Sequence, residues 1–242
     1  LPFGAEHPRL YHNRGDGRFD DVTVRAGLQH LILPMGANFG DLDNDGWLDA
    51  YFGTGMPDLR TLLPNRMFRN DQGRQFQDVT TSGGFGTLQK GHGISFADFD
   101  HDGDQDIYQV LGAAFEGDVY PNVLLENPGH GNHWLTLLLQ GDRSNRDGIG
   151  ARIRVRVETE EGQIRDIYGT VGSGGSFGSS PLRQEMGLGD AVRIEYVEVL
   201  WPTSGERQRF QLAMDQAYRL MEGDPSPQRV VLQRFDLSPS GP

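Results

Sequence analysis

Two acidic stretches of nine residues constrain the fold of this chain more than any other sequence feature. They read DLDNDGWLD at 41–49 and DFDHDGDQD at 98–106. Each carries carboxylates at its first, third, fifth and ninth positions and a glycine at its sixth. Four negative charges held this close repel one another unless a cation neutralises them. The pattern therefore indicates a pair of cation-binding loops rather than two solvated turns.

The spacing of these carboxylates suits calcium. Ca²⁺ is bound by about six to eight oxygens at roughly 2.3–2.6 Å, and alternate acidic residues in a tight loop supply them. The glycine permits the sharp turn that brings the ninth residue back to the ion. We predict two Ca²⁺ sites, with the carboxylates and the main-chain carbonyl of the seventh residue as ligands. These ligands are Asp41, Asp43, Asp45, Trp47 and Asp49 in the first loop, and Asp98, Asp100, Asp102, Asp104 and Asp106 in the second.

Neither loop has the pattern of an EF-hand. An EF-hand needs a glutamate at position 12 and a helix on each side, whereas position 12 is Phe52 in the first loop and Gln109 in the second. The flanking segments ANFG, LDAYFGTG, ISFA and QDIYQVLG are typical of short strands. Each loop is therefore predicted to close a β-hairpin.

The loops lie within a repeat of 57 residues, the interval that separates Asn13 from Asn70 and Asn70 from Asn127. The units fall near 10–66 and 67–123, and a third begins but stops. Repeats of several short strands predict propeller blades or a β-solenoid. Because a closed propeller needs roughly four to eight blades, we expect an incomplete ring. Its open edges would pair with a protein partner, with another copy, or with the second domain.

The rest of the chain divides at PGHGN, 128–132, which reads as a junction. We therefore predict repeats over 1–130, a β-sandwich-like domain over 131–223, and an extended tail over 224–242 lying on a surface. The clearest strand of the second domain alternates apolar residues with arginines. The apolar residues are Ile153, Val155 and Val157, and the arginines are Arg152, Arg154 and Arg156. This arginine row either pairs with acids such as Glu158 and Asp166 or docks an acidic partner.

Composition excludes several classes of function. The net charge of −12 and pI of about 4.9 argue against nucleic acid, whose phosphates would be repelled. The absence of cysteine excludes disulfides and thiolate metal sites. No apolar run approaches the roughly 18 residues of a membrane span. Leu1 is not an initiator methionine, so we expect a processed or truncated form. Calcium loops of this kind function at the calcium concentrations found outside the cytosol, which predicts a secreted, cell-surface or periplasmic protein.

A glycine- and serine-rich stretch at 172–180 offers an alternative function. Its GGSFG matches the G-x-S-x-G nucleophile elbow around Ser176, but no helical pattern follows and no P-loop lysine is present. A small-ligand site or an enzyme using this stretch would bring together Ser173, Ser176 and Arg183. Carbohydrate binding through exposed aromatics such as Trp47 and Tyr51 is a further alternative.

The motifs also carry a family resemblance. The run FGDLDNDGWLDAYFG resembles an FG-GAP/VCBS repeat, the calcium-binding blade of integrin-type β-propellers. NHWLTLLLQGDRSNRDGIGARIRV, GSGGSFGSS and MGLGDAVRIEYVEVLWPTSGERQRF resemble an ASPIC/UnbV domain. The resemblance covers about residues 10–223 and implies this architecture rather than an activity. The chain departs from relatives in having too few repeats for a ring and no cysteine-rich EGF-like module.

Together these observations predict an all-β protein of calcium-binding blades followed by a sandwich. No catalytic residue is predicted, because four carboxylates and a carbonyl leave Ca²⁺ few open positions for chemistry. The ion would instead hold each hairpin, so that its binding free energy becomes folding free energy. The expected function is that of a scaffold, adhesion or accessory-subunit protein.

Overall fold

The structure is a computed structural model that describes residues 8–55, 62–112, 116–172 and 174–237. These residues form seventeen strands and no helix, which confirms the all-β prediction. Accordingly, the described residues contain no helix with the length and apolar character needed to cross a bilayer.

The repeats contain the first nine strands. They are β1 (Tyr11–Asn13), β2 (Phe19–Asp21), β3 (Pro34–Gly40), β4 (Asp49–Thr54), β5 (Arg66–Asp71), β6 (Gln75–Asp78), β7 (Gly91–Ala97), β8 (Asp106–Leu111) and β9 (Val123–Leu125). Strands β3-β4-β5-β6 form an antiparallel sheet, the first blade, and β7-β8-β9 form the second blade. Strands β1 and β2 form a separate sheet, the outer hairpin. This arrangement is the incomplete ring of propeller-type blades that the repeats predict.

The two blades pack through their inner strands, β3 and β7. Small residues make this close approach possible: a side chain at Gly36 would collide with the carbonyl of His92, and one at Gly40 with the ring of Phe96. An apolar cluster fills the space between the blades. Its buried members are Tyr51, Met67, Ile94, Phe96 and Ile107.

The repeat ends where the second domain begins. One repeat length after β6, residues 132–135 should form the outer strand of the second blade, but the chain enters β10 (His133–Gln140) instead. The second blade therefore has three strands where the first has four. Physically, HWLTLLLQ contributes Leu135, Leu137 and Leu139 to a larger apolar core, which draws the segment away from the blade.

The second domain is a sandwich of two four-stranded sheets. Its further strands are β11 (Arg152–Thr159), β12 (Ile164–Thr170), β13 (Gln184–Gly189), β14 (Ala191–Leu200), β15 (Arg207–Phe210), β16 (Gln216–Met221) and β17 (Gln228–Val230). One sheet has the order β13-β10-β16-β17 and the other β12-β11-β14-β15. The strands enclose the largest apolar cluster of the described chain, with Trp201 fully buried.

The arginine row lies on the outer face of β11, as the alternation predicts, while Ile153, Val155 and Val157 are buried. Arg156 forms a bidentate ion pair with Asp166, both distances being 2.7 Å. Arg154 lies 3.3 Å from Glu198 and packs on the ring of Tyr196. Glu158 pairs with Arg193 rather than with the row. Arg154 and Arg156 are thus paired within their own sheet, which favours the first of the two interpretations for these two residues.

The tail was predicted to be extended and to lie on a surface, and part of it is a strand of the sandwich. Gln228–Val230 pairs antiparallel with β16 as an edge strand of the sandwich, although it lies beyond the predicted domain end at 223. Farther along the tail, Gln233, Arg234 and Phe235 contact the second acidic loop. Residues 238–242 of the predicted tail lie outside the described chain.

Candidate metal centre

The first acidic loop connects β3 to β4 and gathers three of its carboxylates. Asp41, Asp43 and Asp49 are buried, and each offers an oxygen within 4.8 Å of the others. The backbone turns sharply through Asn44 (φ 55°) and Gly46 (φ 86°), and the amide of Gly46 donates to Asp41 Oδ2 at 2.9 Å. The hairpin therefore folds the ninth position back beside the first, as a cation loop requires.

The second loop, between β7 and β8, repeats this geometry. Asp98, Asp100 and Asp106, each 57 residues after its counterpart, again offer oxygens within 4.8 Å of one another. His101 (φ 63°) and Gly103 (φ 106°) make the same turn, and Gly103 donates to Asp98 Oδ2 at 3.2 Å. Two separate stretches of sequence thus fold into two sites with the same arrangement of carboxylates.

The ninth carboxylate of each loop is oriented by backbone amides. Asp49 accepts from Leu42 at 2.9 Å and from Asn70 at 2.8 Å. Asp106 accepts from Phe99 at 2.9 Å and from Asn127 at 2.8 Å. Two of the three regularly spaced asparagines, Asn70 and Asn127, therefore orient the ninth carboxylates, a role that their spacing alone did not reveal.

The remaining predicted ligands stand outside these triads. The fifth-position carboxylates accept from the amides two residues on, Asp45 from Trp47 at 2.8 Å and Asp102 from Asp104 at 2.9 Å. The seventh residues, Trp47 and Asp104, were predicted to act through their carbonyls. The side chain of Asp104 points to Asn44, whose Nδ2 donates to it at 2.6 Å.

Both loops are unfavourable environments for ionised carboxylates that no cation compensates. Burial, reinforced by Asp45 and Asp49, raises the pKa of Asp41 well above its usual value. Burial raises the pKa of Asp49 to about 7, and burial with nearby Glu185 raises the pKa of Asp98 to about 7. Burial likewise raises the pKa of Asp106 to about 6. A cation would remove this penalty by compensating the charge.

One atom bears directly on whether the residues fit a metal ion. Asp41 Oδ1 is buried and has no hydrogen-bond partner, although buried carboxylate oxygens are normally paired. Arg69 compensates part of the charge, with Nε 2.5 Å from Asp43 Oδ2 and Nη2 4.0 Å from Asp45 Oδ2. All the clustered donors are hard oxygens, which suit calcium or magnesium rather than zinc. The clusters can therefore hold a metal ion.

Residues far away in sequence complete the surroundings of both loops. Glu185 accepts from the amide of Asp98 at 3.0 Å, and Arg183 donates to the carbonyl of Asp98. The amide of Gly187 donates to Asp41 Oδ2 at 3.2 Å. Sequence analysis missed this role of β13, because QEMGLG carries two glycines and was not predicted to be a strand. The one signal available is those glycines, which leave room for a loop to approach.

The glycine- and serine-rich segment covers the inner strands of the blades. Ser176 forms an antiparallel bridge with Ala37, its amide donating to the carbonyl at 2.7 Å. Ser180 Oγ accepts from Asn38 Nδ2 at 3.1 Å, and Ser95 Oγ donates to the carbonyl of Ser179 at 2.8 Å. The second domain thus pairs with a blade edge of its own chain, one of the outcomes expected for open edges.

The alternative ligand site stays a prediction, since a cavity beside this stretch is lined by Gly172, Ser180 and Arg183. Arg183 is engaged with Glu185 and Asp98, and no helix follows Ser176 within the described chain. Ser173 lies outside the described residues. The idea of exposed aromatics at 47 and 51 is wrong for Tyr51, which is fully buried and donates its hydroxyl to the carbonyl of Phe85 at 2.9 Å.

Comparison with protein families gives two matches. The model of the FG-GAP-like repeat matches residues 3–52 and 54–108, and the model described as ASPIC and UnbV matches residues 141–227. No curated protein matches the sequence. The two family matches confirm the architecture that the motifs predict.

Proposed function

We propose that this chain, in which FG-GAP-like repeats are followed by an ASPIC/UnbV domain, is a calcium-stabilised scaffold or accessory-subunit protein that assembles with other proteins. Two Ca²⁺ ions act as structural staples of the blades. The protein works outside the cytosol, secreted or in the periplasm, where calcium suffices to load loops of this type.

The observation that carries the proposal is the duplicated triad with its unpaired oxygen. Carboxylates at the first, third and ninth positions recur 57 residues apart, five of these six are buried, and in the first loop Asp41 Oδ1 has no partner. A buried charge left uncompensated costs several kcal/mol. Two such arrangements favour a bound cation over two empty acidic turns.

The residues that would hold the ions are the ten predicted ones. The triads supply Asp41, Asp43 and Asp49 in the first site and Asp98, Asp100 and Asp106 in the second. The fifth-position carboxylates, Asp45 and Asp102, and the carbonyls of Trp47 and Asp104 would complete the shells. Calcium fits better than magnesium, since it accepts more ligands and a less regular geometry.

Calorimetric titration tests the proposal. We expect about two Ca²⁺ to bind per chain and about one to bind to either Asp41→Asn or Asp98→Asn, because each substitution removes a buried charge from one triad. Asp147→Asn, in an exposed loop of the second domain, is the matched control and should still bind two. Failure of the parent chain to bind calcium, with its fold intact, would contradict the proposed sites.

A blade edge supports the assembly role. The outer hairpin has the same register as β5–β6. Tyr11 lies opposite Asp21 in the hairpin, and Phe68 lies opposite Asp78 in β5–β6. Whereas β5 also pairs with β4, no strand among the described residues pairs with the other edge of β1. Tyr11 is 51% exposed where its counterpart Phe68 is fully buried. An unpaired strand of this kind is a template for another strand.

Sedimentation measures whether this edge assembles. We expect the average mass of the parent to rise with concentration and Tyr11→Pro to remain monomeric, because proline removes an amide facing the open edge. Tyr168→Ser, which removes an exposed aromatic from the second domain, should behave like the parent. A parent that stays monomeric at every concentration would exclude self-assembly through β1.

A further inference from the structure

Strand β13 presents two different faces. Met186 and Leu188 point into the apolar core of the sandwich. The alternate residues Glu185 and Gly187, together with Arg183 just before the strand, contact the acidic loops instead. Because side chains alternate along a strand, a single short segment joins the second domain's core to the candidate metal sites.

On the first loop, β13 contacts the residues that shape the site. The amide of Gly187 donates to Asp41 Oδ2, and the amide of Gly189 donates to the carbonyl of Asn44 at 2.8 Å. A side chain at Gly187 would collide with Asp41 and with the backbone of Asn44. This surface therefore fits only a loop folded tightly around its first carboxylate.

On the second loop, the same strand and its neighbours hold the backbone. Glu185 accepts from the amide of Asp98 and, at 3.1 Å, from Gln105 Nε2. The indole of Trp134 lies so close to Gly103 that a side chain there would collide with it. From the tail, Phe235 donates to the carbonyl of Asp100 at 2.8 Å.

The two loops also contact each other. Asn44 Nδ2 donates to the carbonyl of Gly103 at 3.0 Å and to Asp104 Oδ1 at 2.6 Å. The amide of Asp41 donates to Gln105 Oε1 at 2.8 Å. Asn44 is buried, so these bonds are shielded from water. Neither loop can change shape without affecting the other.

We propose that β13 is a calcium-dependent latch, which docks the second domain on the blades only when the acidic loops are loaded. The inference rests on the proposed calcium sites and adds that the two sites bind cooperatively through Asn44. Without an ion, repulsion among the carboxylates opens the loops, and the surface complementary to Gly187 is lost. Coupling is reciprocal. If calcium binding favours docking by some factor, docking must raise the affinity for calcium by that same factor.

Calcium titration of Gly187→Val tests the latch. Its new side chain points at the loop and not into the core, so the sandwich should stay folded, which slow amide exchange in its core strands β11 and β14 would report. We expect a dissociation constant for calcium about tenfold weaker, within the usual range of such coupling. Gly172→Ala is the matched control, since a side chain there meets nothing and its backbone is ordinary.

Amide hydrogen exchange gives a second readout that needs no substitution in β13. Residues 183–189 of the parent should exchange more slowly with calcium than with chelator. Asn44→Gly, which keeps the left-handed turn but removes the two bonds that Asn44 donates to the second loop, should weaken the cooperativity between the two binding events.

Calcium-independent exchange over 183–189, or equal affinity in the parent and a folded Gly187→Val, would overturn the latch. Absence of calcium binding by the parent is a different result, since it overturns the metal sites themselves.

Discussion

Removing calcium is expected to lower the midpoint of thermal unfolding by about 10–20 °C. A ligand that binds only the folded state at 100 times its dissociation constant adds about 2.7 kcal/mol per site. For a chain of this size each kcal/mol shifts the midpoint by about 2–4 °C. Two sites therefore give the expected difference, which scanning calorimetry in calcium and then in chelator measures.

The control for this prediction removes the sites and leaves the chain otherwise unchanged. Asp41→Asn combined with Asp98→Asn should have the same midpoint in calcium and in chelator, because both triads lose a buried charge. Asp147→Asn should retain the full shift. An equal midpoint for the parent in both buffers would show that the acidic loops need no ion to fold.

The stabilisation of the folded protein by calcium should also depend on pH. In chelator, the folded-state pKa of Asp49 and that of Asp98 are raised from 3.8 to about 7, so the native state holds protons that the unfolded chain releases. Stability of the calcium-free protein therefore falls as pH rises between about 4 and 7. The difference between the two buffers should grow across this window and level off above it.

The sequence predicted the acidic loops and most of the strands because both depend on local pattern. Carboxylate spacing defines a turn within nine residues, and alternation places Ile153 and Arg154 on opposite faces of β11. The repeat interval also revealed the blades, since equivalent hairpins such as β1–β2 and β5–β6 keep the same register. Such features need no knowledge of distant contacts.

What the sequence did not predict depends on contacts between distant segments. Tyr51 was considered as an exposed aromatic, but it is buried because the second blade packs on it. Strand β13 forms although its two glycines weaken strand propensity, because Met186 and Leu188 enter the sandwich core. The segment containing Ser176 resembles a catalytic turn but lies along the inner edge of β3.

Glu222→Gln is expected to destabilise the second domain by about 2–4 kcal/mol, the usual cost of breaking a buried charged hydrogen-bond network. Glu222 Oε2 accepts from three consecutive amides, those of Asp142 at 2.9 Å, Arg143 at 2.8 Å and Ser144 at 2.7 Å. Its Oε1 accepts from the hydroxyls of Ser144 and Ser204. A glutamine would turn an amide group toward these donors, so at least one of them would be left unpaired.

The pH dependence of this effect separates it from simple loss of packing. Burial tends to raise the pKa of Glu222, but the hydrogen bonds from Ser204, Ser144 and Asp142 lower it from 4.5 to about 2. Because the folded pKa is the lower one, the carboxylate's contribution is complete above about 4.5 and is lost as pH falls toward 2. Denaturant unfolding should therefore show the gap between parent and Glu222→Gln closing over that range. Glu160→Gln, at an exposed turn, should match the parent at every pH, and a gap that stays constant down to pH 2 would contradict the charged network.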